Sequence, residues 1–274
     1  MIDPYRVDGP AVISFSGGAT SGFMLWHILQ AYGGKLPDDV VPVFANTGLE
    51  HPKTLEFIRD CEKHWGVKVR WVEYTGRVDF REVDFESASR NGEPFSLLIE
   101  VTQRLPSMWM RHCTGKLKMQ TILKFAQQVL GFKQGWTDVI GLRYDEPRRV
   151  AKSRQELKSV DKYYPMYQAK HTLADVEAFW NAQPFRLGIE QHLGNCVGCF
   201  LKGKAKIERI ASENPEFLEW WANAESLELV KNGTAKTERF NRDRPSYRGL
   251  IQMAQSQQEF RFPDDDNLPC NCTD

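Results

Sequence analysis

The chain has 274 residues, 41% of them hydrophobic and 12% aromatic, enough to bury one large core or two modest ones, which excludes a disordered or fibrous protein. Acidic and basic residues balance at 36 each, so no global field marks a nucleic acid or a membrane surface as the partner. The opening residues, MIDPYRVDGP, lack the basic flank and apolar stretch of a secretory signal, and no apolar run approaches the roughly 20 residues that cross a bilayer, so the expected location is the cytoplasm.

Residues 11–15, AVISF, predict a buried strand, and the apolar residues 23–29 predict a helix, with the small-residue turn 16–22 between them. VVPVFANTG predicts a second strand that ends at Asn46-Thr47-Gly48. HPKTLEFIRDCEKHWG predicts a helix with Leu55, Ile58, Cys61 and Trp65 near one face and Gly66 as its stop. Residues 67–72 supply a third strand. This β, α, β, α, β alternation with short connections predicts an α/β fold: a parallel twisted sheet with helices on both faces. From Glu73 to about Met110 the periodicity fades, and the segment reads as an insertion or substrate-facing loop. A helix over 115–130 and a strand over 137–141 restore the pattern. A basic loop (EPRRVAKSR), a short helix over 173–182, a cysteine turn, a helix over 204–224 and a loop-rich tail follow. The expected division is an α/β core over 1–150 and a small loop- and helix-rich C-terminal subdomain over 151–274.

A glycine-rich turn between strand and helix lets backbone N–H groups approach phosphate oxygens, and the positive end of the helix dipole favours the anion. Thr20 and Ser21 add hydroxyls. The spacing fits neither G-x-x-x-x-G-K-S/T nor G-x-G-x-x-G, and a tight turn with no ligand is the alternative reading. The six cysteines include two close pairs, Cys196-x-x-Cys199 and Cys270-x-Cys272, which in a reducing compartment suit metal or redox chemistry better than disulfides. Cys61 shares a face with Leu55, Ile58 and Trp65 and reads as core.

Ser16-Gly17-Gly18-Ala19-Thr20-Ser21 resembles the S-G-G-x-D/T-S motif of the PP-loop ATP pyrophosphatases. Within that superfamily the chain is similar to the phosphoadenosine phosphosulfate (PAPS) reductase-like branch through three further blocks. Phe44-Ala45-Asn46-Thr47-Gly48 resembles F-x-D/N-T-G; Arg111-His112-Cys113-Thr114 with Leu117-Lys118 resembles R-x-C-T…L-K; and Gly141-Leu142-Arg143 through Glu146 resembles G-x-R-x-x-E. The resemblance implies an adenine nucleotide alpha hydrolase-like sheet that binds ATP with Mg2+. It implies nucleotide contacts from Ser16, Gly17, Gly18, Ala19, Thr20, Ser21, Gly22, Asn46, Thr47, Gly141, Arg143 and Glu146, with Thr20, Ser21 and Arg143 acting in catalysis. One position departs from the pattern: relatives often place a basic residue where this chain has Ala19, and Arg143 is the candidate replacement charge. An ion pair with Glu146 is the structural alternative for Arg143, and a cap on the following helix is the alternative for Asn46 and Thr47.

By the same resemblance Cys113, Cys196, Cys199 and Cys272, with Cys270 as the alternative fourth, are expected to hold a 4Fe-4S cluster, with tetrahedral Zn2+ as the other metal compatible with thiolate ligands. The implied activity is adenylation of an acceptor with release of pyrophosphate, followed by sulfur incorporation. The expected acceptor is nucleic acid, through DNA phosphorothioation or RNA thiolation, with a sulfur-donor protein such as a cysteine desulfurase as partner. A sulfonucleotide reductase that forms sulfite is the sister reading, although Leu268-Pro269-Cys270-Asn271-Cys272 departs from the E-C-G-L-H tail of those enzymes. A non-catalytic nucleotide-binding subunit of a modification complex is the third. Two basic runs, Arg143, Arg148, Arg149, Lys152 and Arg154, then Lys202, Lys204, Lys206 and Arg209, are candidates to meet phosphates. Trp109, Trp136, Trp180, Trp220 and Trp221 are candidates to stack bases or to fill the core.

Overall fold

A computed structural model describes residues 3–76, 79–155, 160–231 and 233–256. The chain begins β1 (Ala11–Ser14), α1 (Ala19–Ala31), β2 (Val40–Asn46), α2 (Pro52–Trp65), β3 (Arg70–Gly76), β4 (Asp79–Val83) and α3 (Glu93–Thr102). A π-helical segment, Thr114–Gln120, runs into α4 (Thr121–Gln128), followed by β5 (Thr137–Ile140), α5 (Pro147–Gln155) and β6 (Asp161–Tyr163). The remainder holds α6 (Pro165–Gln168), α7 (Leu173–Ala182), α8 (Lys204–Glu213), α9 (Glu216–Glu225), the hairpin β7 (Leu229–Lys231) and β8 (Thr234–Lys236), and α10 (Tyr247–Ser256).

Six strands form one sheet in the order β4-β3-β2-β1-β5-β6, parallel throughout except for β4, which runs antiparallel on β3. The fold is α/β, with helices on both faces. Ala11, Ile13, Phe44 and Trp71 point to one side, where α1, α2 and α7 bring Leu25, Ile28, Ile58, Cys61 and Trp180. Val12, Val43, Ala45 and Val72 point to the other, against Phe125 and Ala126 of α4. The period-2 alternation along each strand thus fills two layers at once. β6 comes from beyond residue 160 and α7 packs on α1, so the sheet layer draws on chain from both sides of residue 150. A second core joins Phe95, Leu98 and Ile99 of α3 and Leu117 of the π-helical segment to Ile207, Ile210, Leu218, Trp221 and Tyr247 of α8 to α10.

The helix α2 forms as its sequence predicts: Pro52 opens it, the His51 ring accepts from Lys53 N–H at 3.1 Å, and Gly66 closes it at φ 62°. Other expectations are corrected. The third strand starts at Arg70 rather than 67, because pairing with β2 begins at Val43↔Arg70 while Val67 and Val69 are buried ahead of it. The segment 73–110 is not all loop. It carries β4, a largely exposed charged edge strand with little hydrophobic alternation to read, and α3. The helix over 115–130 opens with π-type turns, whose extra residue blurs the 3.6 period. EPRRVAKSR is helical in α5, started by Pro147, and the helix over 204–224 is two helices broken at Asn214-Pro215.

Candidate functional site

The strand order reverses around β1, whose neighbours are β2 on one side and β5 on the other, and ligands in open α/β sheets bind at the carboxyl ends of strands at such a switch point. The turn Phe15 to Gly18 leaves β1 there. Gly17 takes φ 74°, and a Cβ on it would lie 2.8 Å from Ile58 and Thr54 of α2, so position 17 demands glycine for both conformation and packing. Gly18 differs: its φ is −90°, and a Cβ would meet nothing nearer than Ser16 Oγ at 3.6 Å. It opens α1 with no side-chain cap, and the first turn of α1 contains no acidic residue, so no acidic side chain of that turn answers the helix's leading N–H groups.

The hydroxyls of the turn divide in role. Ser21 is buried, donates to Gly18 O at 3.0 Å and lies 3.0 Å from Ser16 Oγ, which fixes the turn's shape. Thr20 accepts from Arg143 Nη1 at 3.3 Å, a bond that joins the end of β5 to the start of α1 across the switch point. Ala19 offers its carbonyl to Trp180 Nε1 at 2.8 Å. Gly22 is buried where a Cβ would come within 2.8 Å of Trp180, so it permits close packing on α1, whereas a Cβ at Gly141 would make only ordinary contact, 3.5 Å from Ser21 Cα. Arg143 also contacts Asp145 at 2.9 Å and Glu146 at 3.5 Å. Glu146 accepts from Arg143 N–H at 3.0 Å and pairs with Arg149. Arg143 therefore combines the expected ion pair with a reach to the turn.

Asn46 and Thr47 part company. Asn46 is fully buried and donates to Glu73 Oε1 at 2.6 Å and Ser89 O at 2.8 Å, while its own oxygen accepts from Gly48 N–H at 3.2 Å. Glu73, equally buried, is held further by Arg81 at 2.7 Å and by Ser89. These bonds use Asn46 to lock β2, β3 and β4 together, and the cap of α2 is His51 instead. Thr47 turns toward the cysteines: its hydroxyl donates to Glu50 at 2.8 Å and lies 3.3 Å from Cys196 Sγ.

Cys113 and the pair Cys196 and Cys199, distant from it in sequence, line one cavity together with Thr47, Arg111, Lys118 and Trp221. Among the described residues no disulfide joins them. Cys113 heads the π-helical segment, and the turn 196–199 is pinned by Val197 N–H to Leu49 O at 3.0 Å and Cys199 N–H to Cys196 O at 3.1 Å. Burial, with Cys199 nearby, pushes the Cys113 thiol up to about 11. Burial and then the Glu50 carboxylate push Cys196 up further still, with Lys118 opposing. Thiols so placed ionise only against a compensating positive charge, which is what a bound metal supplies. The three sulfurs are not all within 4.8 Å of one another, a spacing met among the described residues by Glu190, His192 and Glu213 alone. Thiolates of this kind hold a zinc ion or an iron–sulfur cluster. The expected fourth ligand, Cys272 or Cys270, lies outside the described residues.

Glu50 is the site residue that sequence reasoning missed. It is buried and accepts from Thr47 N–H at 3.0 Å, Thr47 Oγ1 and Leu49 N–H at 3.2 Å, and the only signal for it was a lone acid after FANTG. The basic run from Lys202 is corrected as well. Lys202 is buried and clamps the cysteine turn through His192 O at 2.7 Å and Gly194 O at 2.6 Å. Lys206 is also buried, and Arg209 pairs with Glu190 at 2.5 Å and Glu213 at 2.9 Å.

Fold and site together define an α/β chain with an uncapped glycine-rich turn at the switch point of its sheet and three thiols gathered over the end of the neighbouring strand. The chain matches no protein-family profile. It is 29% identical over 254 residues to an uncharacterized nin region protein, ORF290, of Escherichia phage lambda, covering 88% of this chain and 84% of that protein. It is 23% identical over 227 residues to an uncharacterized protein of Methanocaldococcus jannaschii, covering 80% of this chain and 42% of the relative, so it spans less than half of that protein's length. Among solved structures it resembles, at 13% identity and a TM-score of 0.41, the U34-tRNA thiolase NcsA from Methanococcus maripaludis with its 4Fe-4S cluster, over 90% of this chain and 71% of that one. Among the described residues no helix is long and apolar enough to cross a membrane.

Proposed function

We propose that the chain is an ATP pyrophosphatase of the PP-loop kind that activates an acceptor for sulfur incorporation, with nucleic acid as the acceptor. The observation that supports this most is the convergence of Cys113, Cys196 and Cys199 on one cavity walled by Thr47, the residue just after the strand beside the glycine-rich turn. A phosphate-binding turn and a thiol-ligand site are then neighbours along β1 and β2.

In this reading the N–H groups opening α1 and the Thr20 hydroxyl receive the phosphates of ATP. Arg143, 17% exposed and aimed at Thr20, stabilises the charge that builds as an acceptor oxygen bonds to the α-phosphorus and the bond to pyrophosphate breaks. Mg2+, when bound with ATP, would supply positive charge against the leaving pyrophosphate. The adenylated oxygen then leaves as AMP when a sulfur nucleophile, brought by a donor protein, attacks the acceptor atom that bore it. Cys113, Cys196 and Cys199 would hold a 4Fe-4S cluster, which supplies soft Lewis-acid iron for sulfur ligands. Glu50 and Thr47 orient Cys196, and Lys118 offsets negative charge in the cavity.

Pyrophosphate release from ATP, measured with oligonucleotide acceptors and the anaerobically purified protein, tests the proposal. Acceptor-dependent pyrophosphate is the expected result. Absence of pyrophosphate with every acceptor overturns it.

A further inference from the structure

Of the five tryptophans singled out from the sequence, Trp136, Trp180 and Trp221 are buried, and Trp220 donates to Ser96 Oγ at 3.2 Å while its ring packs on Phe95. Trp109 is 96% exposed. Its neighbours Met108 and Met110 are 48% and 44% exposed, so three consecutive apolar side chains stand in solvent. A soluble chain leaves such a tip uncovered at a cost unless it meets something.

The tip is built rather than frayed. Ser107 N–H donates to Met110 O at 3.0 Å and Met110 N–H returns to Ser107 O at 3.1 Å, closing a turn with Met108 and Trp109 at its apex. Arg104 Nη1 lies 3.6 Å from the Met110 sulfur and braces one flank, and Leu105 N–H donates to Glu238 at 2.8 Å and anchors the base. Two residues after Trp109 the chain enters the cysteine cavity at Arg111 and Cys113. The whole stretch 101–137 contains six basic residues, Arg104, Arg111, Lys116, Lys118, Lys124 and Lys133, and neither Asp nor Glu, in a chain whose net charge is zero. The stretch itself therefore carries net positive charge although the chain as a whole does not, and Glu238 is an acid that the described hydrogen bonds bring to it. A tip three residues wide is too small for a stable protein interface, which buries on the order of 800 Å² per partner. An exposed aromatic in a basic stretch of chain, with Arg104 beside it at the turn, matches what single-stranded nucleic acid presents, flat bases on a phosphate backbone.

We propose that the turn 107–110 is a docking element for single-stranded nucleic acid. Trp109 stacks on an unpaired base of the acceptor strand, and Arg104, Arg111 and Lys116 meet its phosphates, which leads the strand to the cysteine cavity. This deepens the nucleic-acid acceptor reading given above and rests on it.

The test is fluorescence anisotropy of the full chain with labelled oligonucleotides of about 12 nucleotides. Single-stranded DNA, single-stranded RNA and a fully paired duplex are compared at low and high salt. Single strands bind more tightly than the duplex, and the DNA and RNA arms identify which polymer is preferred. Trp109→Ala weakens single-strand binding by about tenfold or more, whereas Trp109→Phe retains it to within about threefold, because the ring does the stacking. Lys116→Gln lowers the slope of log affinity against log salt by about one. ATP affinity and thermal stability stay at the wild-type level in Trp109→Ala. Wild-type binding that Trp109→Ala leaves unchanged overturns this inference while the nucleic-acid reading stands. A wild-type chain that binds no oligonucleotide, yet still binds ATP, overturns both the docking element and the acceptor class. A change in sedimentation of Trp109→Ala with unchanged oligonucleotide affinity assigns the turn to self-association and overturns the inference as well.

Discussion

The Thr47 hydroxyl lies 3.3 Å from the sulfur of Cys196, which ties the end of β2 to a cysteine turn 149 residues further along the chain. The same hydroxyl donates to the buried Glu50 carboxylate at 2.8 Å. Thr47→Val removes that donor, leaves Glu50 short of a partner and is expected to cost about 1–3 kcal/mol of stability. Thr47→Ser is expected to retain most of it. Thermal unfolding of the two variants measures the difference, and a larger loss in Thr47→Ser than in Thr47→Val would show that the methyl rather than the hydroxyl matters.

Two adjacent glycines are expected to fail in different ways. Gly17→Ala places a Cβ in the left-handed region and 2.8 Å from Ile58 and Thr54, so it lowers stability by roughly 1–3 kcal/mol. Gly18→Ala has room and an ordinary φ, so the melting temperature is expected to stay near wild type, while the proposed phosphate site predicts weaker ATP binding because the methyl would stand where phosphate oxygens approach. Melting curves with and without ATP separate the two effects. A Gly18→Ala chain with unchanged nucleotide affinity would move the phosphates elsewhere.

Arg143 is the one cation that the described hydrogen bonds bring to the glycine-rich turn, through Thr20. Arg143→Gln is expected to slow pyrophosphate release by about 10²- to 10³-fold with little change in ATP affinity, as removal of a transition-state donor does. Arg143→Lys is expected to recover part of the rate. Ala19→Lys tests whether a second charge adds anything: an unchanged rate means that backbone donors and Arg143 suffice.

Asp138 on β5 gives the fold a pH dependence away from the site. Burial pushes its carboxyl up to about 6, against opposing contributions from the Ser14 hydroxyl, 2.7 Å away, and from Lys162. Between the ordinary value of 3.8 and about 6 the folded chain keeps a proton that the unfolded chain releases. Stability attributable to this group therefore falls as pH rises through that window and levels off above it. Asp138→Asn keeps an acceptor for Ser14 and is expected to stabilise the chain at pH 7 by about 2 kcal/mol, a figure discounted for partial solvent contact. Melting temperature followed from pH 4 to pH 8 checks this, with a flatter curve expected for the variant.

The sequence by itself determined the elements whose signals are local. AVISF, VVPVF and the capped, one-faced helix α2 follow from alternation, periodicity and the terminators Pro52 and Gly66. The small-residue turn at Ser16 and the pairing of Cys196 with Cys199 were equally legible, since each is a spacing of a few residues. What only the tertiary structure decided depends on chain segments meeting from a distance. Asn46 reads like a ligand contact, yet it is spent on Glu73 and Ser89, because a buried carboxylate on β3 must be satisfied by whatever donors border it. Lys202 belongs by composition to a basic run and by position to a buried clamp on carbonyls. Trp109 and Trp221 are the same residue type, and burial alone separates an exposed turn tip from a core side chain. Edge strand β4 and helix α5 escaped notice for a related reason: largely exposed charged segments take their structure from their neighbours and carry little hydrophobic periodicity of their own.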